Sequence, residues 1–302
     1  MTYSIVARDA DGGLLGVAVQ SAMFAVGATV PWARAGVGAV ATQAMAEVAY
    51  GPRCLDALQA GANGQAALDA AVAADDAALI RQVGVVAADG GAAAMTGEWC
   101  IDHAGHIVGD GFAVQANMMA SPEVWPAMAE AFAATADSAE PFALRLLATL
   151  EAGQAAGGDA RGLMSAALLV VAAEPAEPWA GRIVDLRVDR SEDPLGDLRR
   201  LLDAAEAYAG FGRAVDALVS GNSAAALTEA DAGLTILPGD ENLLFVRSGA
   251  LAASGDEEAA LATLRLLVEQ RPSWATVVGS FAAKGLMTLP PSAQDFLTGK
   301  RH

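Results

Sequence analysis

Thr2-Tyr3-Ser4-Ile5-Val6-Ala7-Arg8-Asp9 is an extended, largely apolar run that leads into Asp9-Ala10-Asp11-Gly12-Gly13, a segment rich in turn-forming residues. Leu14-Leu15-Gly16-Val17-Ala18-Val19-Gln20 then returns as the partner of a hairpin. Two more strands are expected at 30–35 and 37–42, on either side of Gly36. These runs are apolar on both faces, as strands are when their sheet is covered on both sides.

Beyond that opening, helices are expected from Gly51-Pro52-Arg53-Cys54-Leu55 and from Gly64-Gln65-Ala66-Ala67-Leu68. Pro52 stands where a first-turn proline is tolerated. Strands follow at 82–86 and 92–96 around Asp89-Gly90-Gly91, and again at 111–117. A helical region over 122–151, broken near Pro141, precedes strands at 165–171 and 183–188. This alternation predicts two stacked sheets with a helical layer outside each.

Near Pro194 the composition changes. Ser220-Gly221-Asn222 recurs as Ser254-Gly255-Asp256, Leu227 as Leu261 and Pro238 as Pro272, each pair 34 residues apart. That is the tetratricopeptide period, a helix, a turn, a helix and a closing proline. Two domains are therefore expected, 1–195 and an all-helical tail over 196–302.

The chain has 302 residues, of which 54% are hydrophobic, and a net charge of −18. Such composition folds, and such charge disfavours nucleic acid or an anionic membrane as partner. The nine cations of residues 1–195 are all arginine, so a substrate carboxylate there would meet a planar guanidinium fork. Residues 12–33 carry no charge, but Gly12, Gly13, Gly16, Gly27 and Pro31 interrupt them; they read as buried strands of a cytoplasmic protein, not a membrane helix. Cys54 and Cys100 imply neither a disulfide framework nor a metal site. His103 and His106 stand three apart with no carboxylate or thiolate cluster at ligand spacing, so no metal and no cofactor is expected. Gly109-Asp110-Gly111 lacks the lysine and the spacing of a phosphate loop.

Thr2 is the first candidate for chemistry. Removal of Met1 by methionine aminopeptidase is expected, because threonine is small. A terminal threonine then carries a nucleophilic hydroxyl and, in its α-amine, a base. That amine has an ordinary pKa of about 7.7–8.0, near working pH.

The runs 4–9, 16–21, 24–28, 31–43 and 109–115, together with Gly157-Gly158-Asp159-Ala160-Arg161-Gly162, resemble one bacterial family, the Ntn-hydrolase-like "domain of unknown function ten twenty-eight". The likeness covers roughly residues 1–195. It implies an α+β fold, a four-layer αββα Ntn-hydrolase-like sandwich, here followed by the small all-α tetratricopeptide-like tail. Beside the wider Ntn pattern, Thr2 becomes nucleophile and base. Arg34 falls about where related enzymes place a lysine; it would lower the amine pKa or bind a carboxylate, or else be a surface arginine on a sheet edge. Thr42 and Gln43 stand where oxyanion donors are found, with a turn or cap role as the alternative for Gln43. Ser21 is a candidate partner of the α-amine or of turn backbone, and Asn117 a candidate amide-recognising group or turn residue. Asp159 and Arg161 either fix their glycine-rich loop near the nucleophile or form a structural ion pair, with Ser165 a weaker candidate close behind. His106 is a candidate substrate contact.

The expected activity is hydrolysis of an amide or related C–N bond in a small molecule. The alternative is a non-catalytic scaffold that docks a partner through the sandwich and the repeats. A homo-oligomer, assembled through the C-terminal helices, is also expected.

Overall fold

The computed structural model describes residues 2–298 apart from 10, 12 and 178; Met1, the turn residues Ala10 and Gly12, and His302 lie outside the described residues. The first unit ends at Leu202. Its order is β1 (Thr2–Asp9), β2 (Leu14–Ser21), β3 (Pro31–Arg34), β4 (Gly38–Ala44), α1 (Tyr50–Gln59), α2 (Gly64–Ala73), β5 (Arg81–Ala87) and β6 (Ala92–Thr96). Then come β7 (Gly105–Gly109), β8 (Phe112–Asn117), α3 (Val124–Ala133), α4 (Phe142–Ala155), β9 (Ser165–Ala172) and β10 (Arg182–Val188). The strands form two antiparallel sheets, β10-β9-β2-β1-β8-β7 and β3-β4-β5-β6.

β1 is central in the larger sheet, and its alternation sorts the chain into layers. Tyr3, Ile5 and Ala7 point to one side and pack with Met128, Leu146 and Leu150 of α3 and α4. Val6 points to the other, where Val17 and Val19 of β2 meet Ala39 and Ala41 of β4 and Val86 of β5. The two sheets therefore face each other across that second cluster. The outer face of the smaller sheet, through Val40, Val83 and Val85, packs on Cys54, Leu55 and Leu68 of α1 and α2. Period-two side-chain direction lets each strand serve two cores at once. Burying a side chain such as Ile5 or Leu146 contributes about 1.5–3 kcal/mol.

Two expectations change. β7 is absent from the strands read off the sequence: its run Gly105-His106-Ile107-Val108-Gly109 is short, opened and closed by glycine, and half exposed. The domain boundary also moves. The helix α5 (Pro194–Val219) starts before the expected cut, and its Leu195, Leu198 and Leu202 are buried in the core with Phe142 and Leu146, so these turns belong to the first unit.

The second unit, from Asp203 onward, is helical: the rest of α5, then α6 (Ser223–Ile236), α7 (Glu241–Ser254), α8 (Glu257–Gln270), α9 (Trp274–Ala283) and α10 (Pro291–Thr298). Asn222 and Asp256, which correspond in the internal repeat, cap α6 and α8 by accepting the Ala225 and Ala259 N–H groups, each at 3.1 Å. Gly255, with φ 87°, ends α7 in the left-handed region. Leu244, Leu264, Leu267 and Val278 form its main core. Among the described residues no helix is long and apolar enough to cross a membrane.

Candidate active site

Register brings the polar residues of the first unit to one end of the gap between the sheets. Across the larger sheet, Asn117, Thr2, Ser21 and Ser165 stand opposite one another on β8, β1, β2 and β9. Across the smaller sheet, Gln43, Gln82 and Thr96 do the same on β4, β5 and β6. Two rungs of polar side chains thus meet, with Ser4 and Gln115 one step further in, and beyond them the gap is apolar.

Thr2 is 4% exposed and donates its hydroxyl to Ser21 Oγ at 3.0 Å. Its backbone carbonyl accepts from Gln43 Nε2 at 3.1 Å and from Asn117 Nδ2 at 3.3 Å. Those two amides also donate to one acceptor, Gln82 Oε1, at 2.7 and 2.8 Å. Gln82 Nε2 in turn is shared among Thr96 Oγ1, the Ala116 carbonyl and the Gly105 carbonyl. Ser4 closes the ring from below, accepting from Gln115 Nε2 and donating to Gln43 Oε1, each at 2.6 Å. Buried amides are costly unless paired, and here nearly all are paired with one another. The network therefore fixes the Thr2 backbone from two sheets.

The outermost link is Thr96 Oγ1 to His106 Nδ1 at 2.9 Å. His106 is exposed as a residue, yet desolvation of its ring lowers its pKa below the ordinary imidazole value. It faces the network, not Thr2.

The remaining expected residues divide. Arg34 is not at the site. It pairs with Gly38 at the far end of β3, and from Gly38 to Gln43 the strand runs about 17 Å. There it is half-buried on the edge strand of the smaller sheet, ion-paired to Asp56 at 2.9 Å and hydrogen-bonded to Gln59. A larger cavity of about 600 Å³ lies at that end, beside Arg34 and Arg182 and away from Thr2. Thr42 also points elsewhere: alternation turns it towards the helix side, where its hydroxyl donates to the Glu47 carbonyl and its N–H to the Val30 carbonyl. Gln43 is at the site, but its N–H groups serve Thr2, Gln82 and Gln115. The Thr42 N–H and the Gln43 side-chain amide are thus both engaged within the protein. Asn117 holds the Thr2 carbonyl and Gln82 with its amide donors.

Behind Ser21, the Asp159 carboxylate is fully buried and accepts the Ala22 N–H at 3.2 Å and Arg161 N, Nε and Nη2. The glycine-rich loop is thereby fastened at the end of β2, next to the nucleophile candidate. Ser165 Oγ ties down the adjoining segment through the Met23 carbonyl and the Val26 N–H.

A mouth of about 170 Å³ opens beside this end, lined by Met23, Met45, Trp99, Ile101, Met118 and Asn117, among others. Ala44 and Met118, the residues that follow Gln43 and Asn117, have φ of 69° and 57°. Left-handed backbone at residues other than glycine is strained and concentrates at functional sites. Burial pushes the Cys100 thiol, also at the mouth, above its ordinary value, which keeps it neutral. Among the described residues no group of three or more His, Cys, Asp or Glu side chains is arranged to hold a metal ion.

Residues 2–198 match a family described as a family of unknown function (DUF1028). The chain belongs to the DUF1028 family. A crystal structure of protein SPO2555 from Silicibacter pomeroyi, also DUF1028, is 33% identical, covers 67% of this chain and 84% of its own, and superposes with a TM-score of 0.60. No curated protein matches. In this DUF1028 chain the first unit is thus the family's part, and Gln82, Gln115, Ser4 and Thr96 are the site residues that reading the sequence missed. The signal was present: Gln82 and Gln115 are amides in strands whose other residues, Arg81 and Asn117 apart, are apolar, so burial was implied and a partner required.

Proposed function

We propose that the chain is an Ntn-type amidohydrolase whose nucleophile is Thr2, freed by removal of the residue before it. Support comes first from the layering, helices outside two facing antiparallel sheets, which fits an αββα sandwich with β1 at its centre. The observation that carries the reading is the placement of Thr2. It opens β1 on the face turned to the other sheet, its hydroxyl 3.0 Å from Ser21 Oγ, its carbonyl gripped by two amides, and an open mouth alongside.

In this reading Thr2 Oγ1 attacks the amide carbonyl and its proton passes to the α-amine. The amine hands that proton to the leaving nitrogen as the C–N bond breaks, leaving an ester on Thr2. Water, deprotonated by the same amine, cleaves the ester and the proton returns to Oγ1. Proton transfer of this kind accelerates each half-reaction by about 10²–10⁴-fold. Ser21 orients the hydroxyl, and Gln43, Asn117 and Gln82 hold the backbone that carries it. The tail, with its corresponding caps at Asn222 and Asp256, fits a tetratricopeptide-like extension.

The test needs no knowledge of the substrate. A β-lactone electrophile is expected to acylate Thr2 in protein whose mass lacks Met1, with the adduct located by peptide mass spectrometry and absent from Thr2→Ala. Hydrolysis of small amides by protein that retains Met1, or by Thr2→Ala, overturns the reading.

A further inference from the structure

The mouth beside Thr2 differs from the site expected on the sequence. An arginine fork for a carboxylate was anticipated, and Arg34 is at the other end of the sheet. None of the residues that line the mouth is charged at neutral pH. Met23, Met45, Trp99 and Ile101 stand around it with 53, 64, 67 and 60% of their surfaces exposed. Such a concentration of large apolar groups in water marks a binding surface.

Its position says for what. Asn117 lines the mouth and donates to the Thr2 carbonyl, while Met23 donates its N–H to Ser21 Oγ at 3.1 Å, the atom that accepts the Thr2 hydroxyl. The mouth is therefore one hydrogen bond from Thr2 through Asn117 and two through Met23 and Ser21. The left-handed turns at Ala44 and Met118 carry both strands away just there and leave the space open. Its volume of about 170 Å³ is close to that of apolar cavities of about 150 Å³ that hold a benzene molecule. Two arginines border it, and both are engaged with carboxylates: Arg161 reaches Met23 Sδ at 3.6 Å with its Nε and Nη2 on Asp159, and Arg81 donates to the Met45 carbonyl with its Nε on Asp75 at 2.9 Å.

We propose that this mouth receives an uncharged aryl or branched alkyl group of about the size of a benzene ring, carried next to the scissile C–N bond of the substrate. The assignment rests on Thr2 as the reacting residue. It makes the substrate an amide of an apolar acid or amine, not of a dicarboxylic acid.

Binding and turnover are read separately. Thr2→Ala, which cannot react, is titrated with phenylacetamide, N-benzylacetamide and succinamate, followed by saturation-transfer NMR and by emission of Trp99, with Trp99→Phe to assign the signal. Both aryl amides are expected to bind, with succinamate weaker by roughly a hundredfold. Met45→Glu, at an exposed rim position, is expected to weaken aryl binding at least about tenfold while melting as the parent does. Preference for succinamate, or no aryl binding by a wild-type protein that hydrolyses amides through Thr2, overturns the proposal and spares the nucleophile. Aryl binding to Thr2→Ala with no Thr2-dependent turnover by wild type sustains the pocket and overturns the nucleophile. Trp99 emission that responds to protein concentration and not to phenylacetamide makes the patch a subunit interface, and the proposal falls.

Discussion

Gln82 occupies the most demanding position in the network. Its oxygen is the common acceptor for Gln43 and Asn117, and its nitrogen serves Thr96 and two backbone carbonyls. Replacing it by leucine keeps most of the volume but removes the acceptor shared by Gln43 and Asn117 and the donor to Thr96, Gly105 and Ala116, in a fully buried place. Each stranded buried group costs about 1–3 kcal/mol, so Gln82→Leu is expected to lose about 2–4 kcal/mol once neighbours relax. Urea unfolding, with a lower midpoint at unchanged slope, measures it. Thr2 itself is cheaper to alter: Thr2→Ala removes one hydroxyl bond to Ser21 and leaves both grips on its carbonyl. Its loss is expected to register in chemistry, not stability.

At the scale of elements, the site depends on how closely two strands from different sheets approach. Gly84 of β5 lies against the Gln115 side chain of β8, and a Cβ there would stand 2.2 Å from Gln115 Oε1. Gln115 is fully buried and its Nε2 is committed to Ser4, so it has little room to give. Gly84→Ala is expected to destabilise the unit by about 1–3 kcal/mol, seen as a lower melting temperature, and to weaken any Thr2-dependent activity. The strands and helices were largely legible in sequence, because apolar runs and turn residues report local choices. The facing of rungs was not, since it depends on register between strands far apart in the chain. Thr42 and Gln43 show this well: adjacent in sequence and equal as candidates, they point to opposite faces of β4. Arg34 shows the same limit along a strand, where a hairpin carried it away from the end that Gln43 reaches.

For the whole molecule, the boundary inside α5 makes a direct prediction. A chain ending at Leu202 keeps Leu195, Leu198 and Leu202 in their core, and is expected to unfold cooperatively by circular dichroism. One ending at residue 195 loses two of them, which at about 1.5–3 kcal/mol each lowers stability by at least about 3 kcal/mol. A repeat in the tail was legible because its period is written in sequence; the helix that joins the units hid the cut, since its composition had already changed. The central place of β1 has a further consequence, for timing during synthesis. Thr2 is made first, but the strand that pairs on its far side ends at Asn117, and the next rung member, Ser165, comes later still. At about 5–20 residues per second, Asn117 and Ser165 follow Thr2 by on the order of ten seconds, an interval in which β1 has only its hairpin partner β2. On the proposed nucleophile reading, a peptidase that removes the residue before Thr2 meets least hindrance in that interval, before β8 and the second sheet close over the site.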